Sequence, residues 1–168
     1  MFYYPEQYST YFYTNVLPMW QSINNGNWKS VEFIVRRVAH AEGDLDVWTG
    51  GLGILKLSGK SIYLSKDSKN SSKFIIPVPK LLYKIVYNEK TNEALVFITA
   101  NNPYIAGEAV PRDYRICKEY QVCSDKFEQF NKKNEGYTYC CLYRDFITHP
   151  DVQDIFVHLK KAKPLKLF

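Results

Sequence analysis

Tyr11-Phe-Tyr-Thr-Asn15-Val-Leu-Pro18-Met-Trp-Gln-Ser-Ile-Asn24-Asn-Gly26-Asn-Trp28-Lys-Ser-Val31-Glu32-Phe-Ile-Val35-Arg36 reads as a strand, a turn and an amphipathic helix. Tyr11 to Val16 is aromatic and β-branched, which suits a half-buried strand, and Pro18 stops it. Asn24-Asn25-Gly26-Asn27 is turn chemistry. Trp28, Val31, Val35 and Val38 recur at helical spacing, so a helix is expected from about Trp28, with Asn27 as its N-cap. At about 100° per residue, Glu32 and Arg36 fall beside the apolar stripe and form an i,i+4 pair with the acid first. One Asn and one Glu oxygen near a helix start suit a hard cation such as Mg²⁺, which keeps most of its waters and needs few protein ligands. The same residues also read as an ordinary turn followed by a solvated surface pair contributing a few tenths of a kcal/mol. Composition and spacing favour that second reading.

A wider pattern shifts the balance. Asn15, Pro18 and Asn24-x-Gly26-x-Trp28-x-x-x-Glu32-x-x-x-Arg36 resemble the DNA/RNA non-specific endonucleases, the ββα-metal (His-Me finger) nucleases, and most of all their insect and crustacean branch of salivary and gut enzymes. Softer matches follow in the expected order: Asp46-Val-Trp-Thr-Gly-Gly-Leu-Gly53, Pro77-Val-Pro-Lys80, Tyr83-Lys84-Ile-Val86, Asn101-Asn102-Pro103, Ile116-Cys117, Cys123 and Gly136-Tyr-Thr-Tyr-Cys-Cys141. The likeness runs from about residue 8 to 147. It implies that Asn15 organises the active site, Asn24 is the direct protein ligand of Mg²⁺, Glu32 holds and orients metal-bound water, and Arg36 steadies charge on the phosphate. Phosphodiester hydrolysis needs these parts: a cation on the phosphate oxygens, an oriented water and a positive group for developing charge.

One departure stands out. The family's general base is a His in an Asp-Arg-Gly-His motif upstream of the first Asn, and no such motif is present. His40, His149 and His158 all follow Asn15, and none follows Arg-Gly. His40 reads as a partner of the helix C-terminus, His149 as a loop residue before Pro150, and His158 as part of a tail helix. Met1 is therefore read as the start of a shortened gene model, isoform or fragment of a secreted parent. Loss of a general base typically costs 10²–10⁴-fold in rate.

Bulk properties agree with a single domain of 168 residues. Hydrophobic residues are 46%, charged residues 23% and aromatics 16%, with 14 Tyr favouring a β-rich fold. The net charge of +5 mildly favours a polyanionic partner. The first residues lack the basic and apolar regions of a signal peptide, and no run reaches the ~20 apolar residues of a membrane span. Four cysteines, Cys117, Cys123, Cys140 and Cys141, fit two disulfides and an oxidising compartment better than zinc, for which their spacing is poor. The family pattern implies that each of Cys117 and Cys123 pairs with one of Cys140 and Cys141; the order is not readable.

Along the chain, Gly43 ends the first helix and 46–65 reads as a hairpin whose first strand bends at its glycines. Lys66 to Lys73 is a polar loop, either solvated or touching phosphate. Leu82–Tyr87 and Ala94–Ala100 are apolar enough for central strands. A helix over about 125–133 turns Phe127 and Phe130 inward, 137–141 is a short strand, and 142–147 is helical. Thr148-x-x-Asp151 resembles a capping box before a stripe of Val152, Ile155, Phe156 and Leu159. Lys160 to Lys166 is expected to be a frayed basic tail. The whole reads as α+β, an antiparallel sheet flanked by helices in the ββα-metal nuclease class, lacking the N-terminal part of the domain. The expected function is Mg²⁺-dependent hydrolysis of DNA and RNA, impaired by the missing base; the alternatives are a catalytically inactive nucleic-acid-binding relative and an inert fragment.

Overall fold

The computed structural model of the protein describes residues 16–70, 72–107, 109–118, 123, 126–152, 159 and 161–167. The expected strand over 11–16, Asn15 with it, lies outside these apart from Val16, as does most of the tail helix. An antiparallel sheet runs β1 (Asp46–Ile54), β6 (Pro79–Asn88), β7 (Glu93–Ala100), β8 (Thr138–Leu142). Two short hairpins, β2 (Lys56–Leu57) with β3 (Lys60–Ser61) and β4 (Tyr63–Lys66) with β5 (Phe74–Pro77), interrupt the path from β1 to β6. The architecture is the expected α+β class.

The apolar runs predicted for β6 and β7 are the sheet's centre, buried on both faces because layers cover both. One layer packs α2 (Lys29–Glu42) on Val86, Leu95 and Phe97 through Val31, Ile34 and Val38. The other covers Tyr83, Ile85 and Val96, and Tyr139 of β8 beside them, with Tyr114, Tyr143 and Phe146, the last two from α3 (Tyr143–Phe146). Gly43, at φ 92°, ends α2 as expected, its N–H meeting the Ala39 carbonyl.

Four expectations change. Residues 46–65 are not one hairpin: β1 pairs along its length with β6, Asp46 opposite Tyr87 and Ile54 opposite Pro79. Gly50 and Gly51 make this approach possible, because a Cβ at Gly50 would fall 2.3 Å from the Tyr83 hydroxyl and one at Gly51 2.6 Å from Pro79 Cβ. The helix expected over 125–133 does not run its length: Lys126 is helical, with the Phe127 N–H meeting the Cys123 carbonyl at 3.0 Å, and two 3₁₀ turns follow, Glu128–Asn131 and Lys133–Glu135, with Phe130 buried and Phe127 packed against the same core. The basic tail docks: β9 (Lys163–Pro164) pairs parallel to β7, and Leu165 and Leu167 are buried. Asn27 is not an N-cap, for the reason given below.

The cysteine expectation holds and acquires an order. Cys117 bonds Cys141 and Cys123 bonds Cys140, with Cα–Cα distances of 6.2 and 6.0 Å, inside the normal range. Neighbouring residues of a strand point to opposite faces, so Cys140 faces the α2 layer with Cys123 while Cys141 faces the tyrosine layer with Cys117. The two bridges thus tie β8 from its two faces. Among the described residues no cysteine is free.

Candidate metal and phosphate site

The site is built on one kinked helical element. A short turn α1 (Gln21–Ile23) runs into a wide turn, Asn24–Trp28, and then into α2. The kink lies at Gly26, with φ −93° and ψ −123°. A Cβ there would stand 2.7 Å from both Cβ and the carbonyl oxygen of Glu135, so the Lys133–Glu135 turn packs where only glycine leaves room. Asn27, fully buried, donates from Nδ2 to the Gly136 carbonyl at 2.7 Å. Its side chain faces inward across the fold, which is why it does not cap α2. The segment entering the element is held by buried Asn101: its Nδ2 donates to the Pro18 and Pro79 carbonyls, both at 2.9 Å, and its Oδ1 accepts the Trp20 N–H.

These contacts present three of the expected residues on one element. Asn24 opens the wide turn and is exposed; Glu32 lies in the first turn of α2, half-buried; Arg36 follows one turn on, exposed. Glu32 and Arg36 are not the ion pair their spacing suggests. Among the described residues, the side chains of Asn24, Glu32 and Arg36 form no hydrogen bond or ion pair. The fourth, Asn15, is outside the described residues.

Lys84 is the residue that sequence reasoning left out of the site. It stands at the centre of β6, only 8% exposed. Its ammonium donates to Thr49 Oγ1 across the β1–β6 pair at 2.8 Å and lies 4.8 Å from the centroid of the Trp28 ring. Burial holds its pKa below the ordinary lysine value; nearby Glu32 opposes this and Arg36 adds to it. The signal was legible as a lone charge inside the apolar run Leu81–Tyr87.

Asn24 and Glu32 offer an amide carbonyl and a carboxylate, both uncommitted, the oxygen donors that a hard divalent ion takes. Among the described residues no group of three or more His, Cys, Asp or Glu side chains converges. The two described histidines lie elsewhere. His40 is in the last turn of α2, about 12 Å of helical rise beyond Glu32, and His149 Nδ1 is 3.8 Å from Asp151 Oδ2 beyond α3.

Residues 3–146 match the family described as DNA/RNA non-specific endonuclease. A salivary endonuclease of Lutzomyia longipalpis is 37% identical over 147 residues, 84% of this chain and 34% of the relative. Salivary protein Tsal1 of Glossina morsitans morsitans is 30% identical over 83% of this chain and 35% of its own length. A salivary endonuclease of Culex quinquefasciatus is 27% identical over 82% of this chain and 37% of its own. The chain therefore spans about a third of the length of these relatives. No solved structure matches it. With the family match covering most of the chain, this protein belongs to the DNA/RNA non-specific endonuclease family, in its arthropod salivary branch.

Proposed function

We propose that this chain forms the metal- and phosphate-binding part of a secreted, Mg²⁺-dependent endonuclease acting on DNA and RNA without sequence preference. The observation that carries this is the pair of uncommitted oxygen donors, Asn24 and Glu32, at the family's ligand positions on one glycine-kinked element. Asn24 and Glu32 would hold Mg²⁺, which supplies positive charge to the phosphate oxygens and makes water more acidic when bound. Glu32 keeps its carboxylate free to accept hydrogen bonds from water. Arg36, exposed one turn away, meets the phosphate and its developing charge. The family pattern gives Asn15 the role of organiser. The Lys84 ammonium lends fixed positive charge behind Glu32. Two disulfides and the salivary relatives support a secreted protein.

Taking a proton from the attacking water needs a positioned base. The sequence holds no Asp-Arg-Gly-His, and His40 and His149 stand away from the Asn24–Glu32 stretch. That favours a second reading for the 168-residue chain, nucleic-acid binding with weak or no cleavage. The test is the refolded, oxidised chain with Mg²⁺ on plasmid DNA and duplex RNA, beside a relative that carries the motif. Salt-sensitive binding with cleavage at least ~10²-fold below that relative is expected. Full cleavage abolished by Glu32→Ala would show that another group serves as base. No binding at low salt would overturn both readings and leave an inert fragment.

A further inference from the structure

Residues 55–78, between β1 and β6, hold five lysines, Lys56, Lys60, Lys66, Lys69 and Lys73, against one acid, Asp67. All five are exposed, and among the described residues none is in an ion pair. Asp67 offsets one of the five and ties the tip: its Oδ1 accepts the Lys69 backbone N–H at 2.8 Å, and its own N–H donates to the Lys73 carbonyl at 2.8 Å. The root is equally fixed. Leu55 and Val78 are buried, Leu55 N–H donates to the Val78 carbonyl at 2.8 Å, and Val78 N–H donates to the Ile62 carbonyl at 3.0 Å. The β4–β5 hairpin is therefore a built arm holding unneutralised charge.

The arm also carries unpaid apolar surface. Leu64, Phe74 and Ile76 are 63%, 53% and 48% exposed, and Lys66 Nζ lies 5.2 Å from the centre of the Phe74 ring. Cations interleaved with exposed apolar side chains fit a nucleic-acid strand, lysines to phosphates and flat or aliphatic groups to sugars and bases. An anionic membrane presents the same two chemistries, but position favours nucleic acid. The arm leaves the sheet where β6 begins at Pro79. The start of the kinked element packs over that end, Ile23 and Trp28 on Leu82, while its later part lies on Val86. The arm and Asn24 thus share one end of the sheet.

We propose that the β4–β5 arm is a second nucleic-acid contact, holding the sugar–phosphate backbone that flanks the bond at the Asn24–Glu32 site. This rests on the nuclease reading. The test is fluorescence anisotropy of a labelled DNA duplex with the full chain in EDTA, so that cleavage plays no part, over a series of salt concentrations. Lys66→Glu/Lys69→Glu/Lys73→Glu should weaken binding about tenfold or more at 0.1 M salt and flatten the log–log salt slope by about 2 to 3, the loss of two or three phosphate contacts. A charge-matched control at the other end of the sheet, Lys90→Glu/Lys161→Glu/Lys163→Glu, should stay within about threefold of that of the unmodified chain. Phe74→Ser, compared at unchanged far-UV circular dichroism because the ring also meets Tyr63 at 5.2 Å, should weaken binding about fivefold and leave the slope unchanged; it keeps the test open should the triple variant misfold. Equal losses in arm and control would reduce the effect to net charge and overturn the proposal, as would unmodified binding by the arm and Phe74 variants. Arm-dependent capture by phosphatidylserine vesicles without arm-dependent duplex binding would overturn it in favour of a membrane. No duplex binding by the unmodified chain would overturn the nuclease reading itself, a distinct outcome.

Discussion

The two disulfides allow a stability prediction worked from their nesting. The Cys123–Cys140 bridge closes a loop of separation 17 inside the Cys117–Cys141 loop of 24. Taken alone, chain entropy assigns the inner bridge about 3.1 kcal/mol and the outer about 3.4. They are not independent. With the inner bridge closed, the outer one closes only about eight links, through Cys117 to Cys123 and across to Cys140 and Cys141, which is about 2.5 kcal/mol. Path independence then leaves about 2.2 kcal/mol for the inner bridge when the outer is intact, and about 5.6 for both. The perturbations are Cys123→Ala/Cys140→Ala, Cys117→Ala/Cys141→Ala and all four together. The assay is urea denaturation at pH 7 followed by tryptophan fluorescence and far-UV circular dichroism. Each pair should cost about 2–2.5 kcal/mol, and the fourfold variant, losing an amount comparable to the whole stability of many domains, should be largely unfolded at 37 °C. Loss of the bridges should also weaken nucleic-acid binding, since β8 begins two residues after Gly136, the acceptor that anchors Asn27 beneath the wide turn. A loss below about 1 kcal/mol from either pair would refute the chain-entropy account for this fold.

Gly26→Ala should destabilise by about 1–3 kcal/mol through overpacking against Glu135 and weaken Mg²⁺ binding measured by calorimetry; an unchanged urea midpoint would show that the two turns can part without cost. Lys84→Met should be at least as stable as the unmodified chain at pH 7, because it removes a buried charge with one hydrogen-bond acceptor. The sign with pH follows from its lowered pKa: the unfolded chain holds the extra proton up to about pH 10.5, so the unmodified chain gains stability as pH rises towards that value and the variant does not. Parallel pH–stability curves would refute the burial argument. The comparison belongs below pH 10, since burial pushes the Tyr143 phenol up to about 12, and stability present below pH 10 is lost between 10 and 12 in both chains.

Much of the fold was legible because it depends on near neighbours in the chain. The stripe of Val31, Val35 and Val38 set the α2 face, and the apolar runs at 82–87 and 94–100 announced strands buried on both sides. Reading failed where a partner far along the chain decided the matter. The turn expected at Gly59-Lys60 falls one residue earlier, at Ser58-Gly59, and closes only β2–β3, while the long partner of β1 is β6. Asn27 had the chemistry of a cap, yet the Gly136 carbonyl, 109 residues away, takes its amide. The tail's lysines concealed Leu165 and Leu167, which find burial only beside β7.

The sequence by itself determined which family the chain belongs to, because the spacing of Asn15, Asn24, Glu32 and Arg36 and the order of the later stretches are properties of the string. It also determined that four cysteines should form two bridges. Only the tertiary structure decided which cysteine meets which. Cys140 and Cys141 are adjacent in sequence but face opposite layers of the sheet, so the pairing depends on which layer holds Cys117 and which holds Cys123. Likewise the Glu32–Arg36 spacing left open whether they pair, and the fold instead put the Lys84 ammonium near both. Periodicity and spacing record contacts within a few residues; contacts between distant segments exist only once the sheet has brought them together.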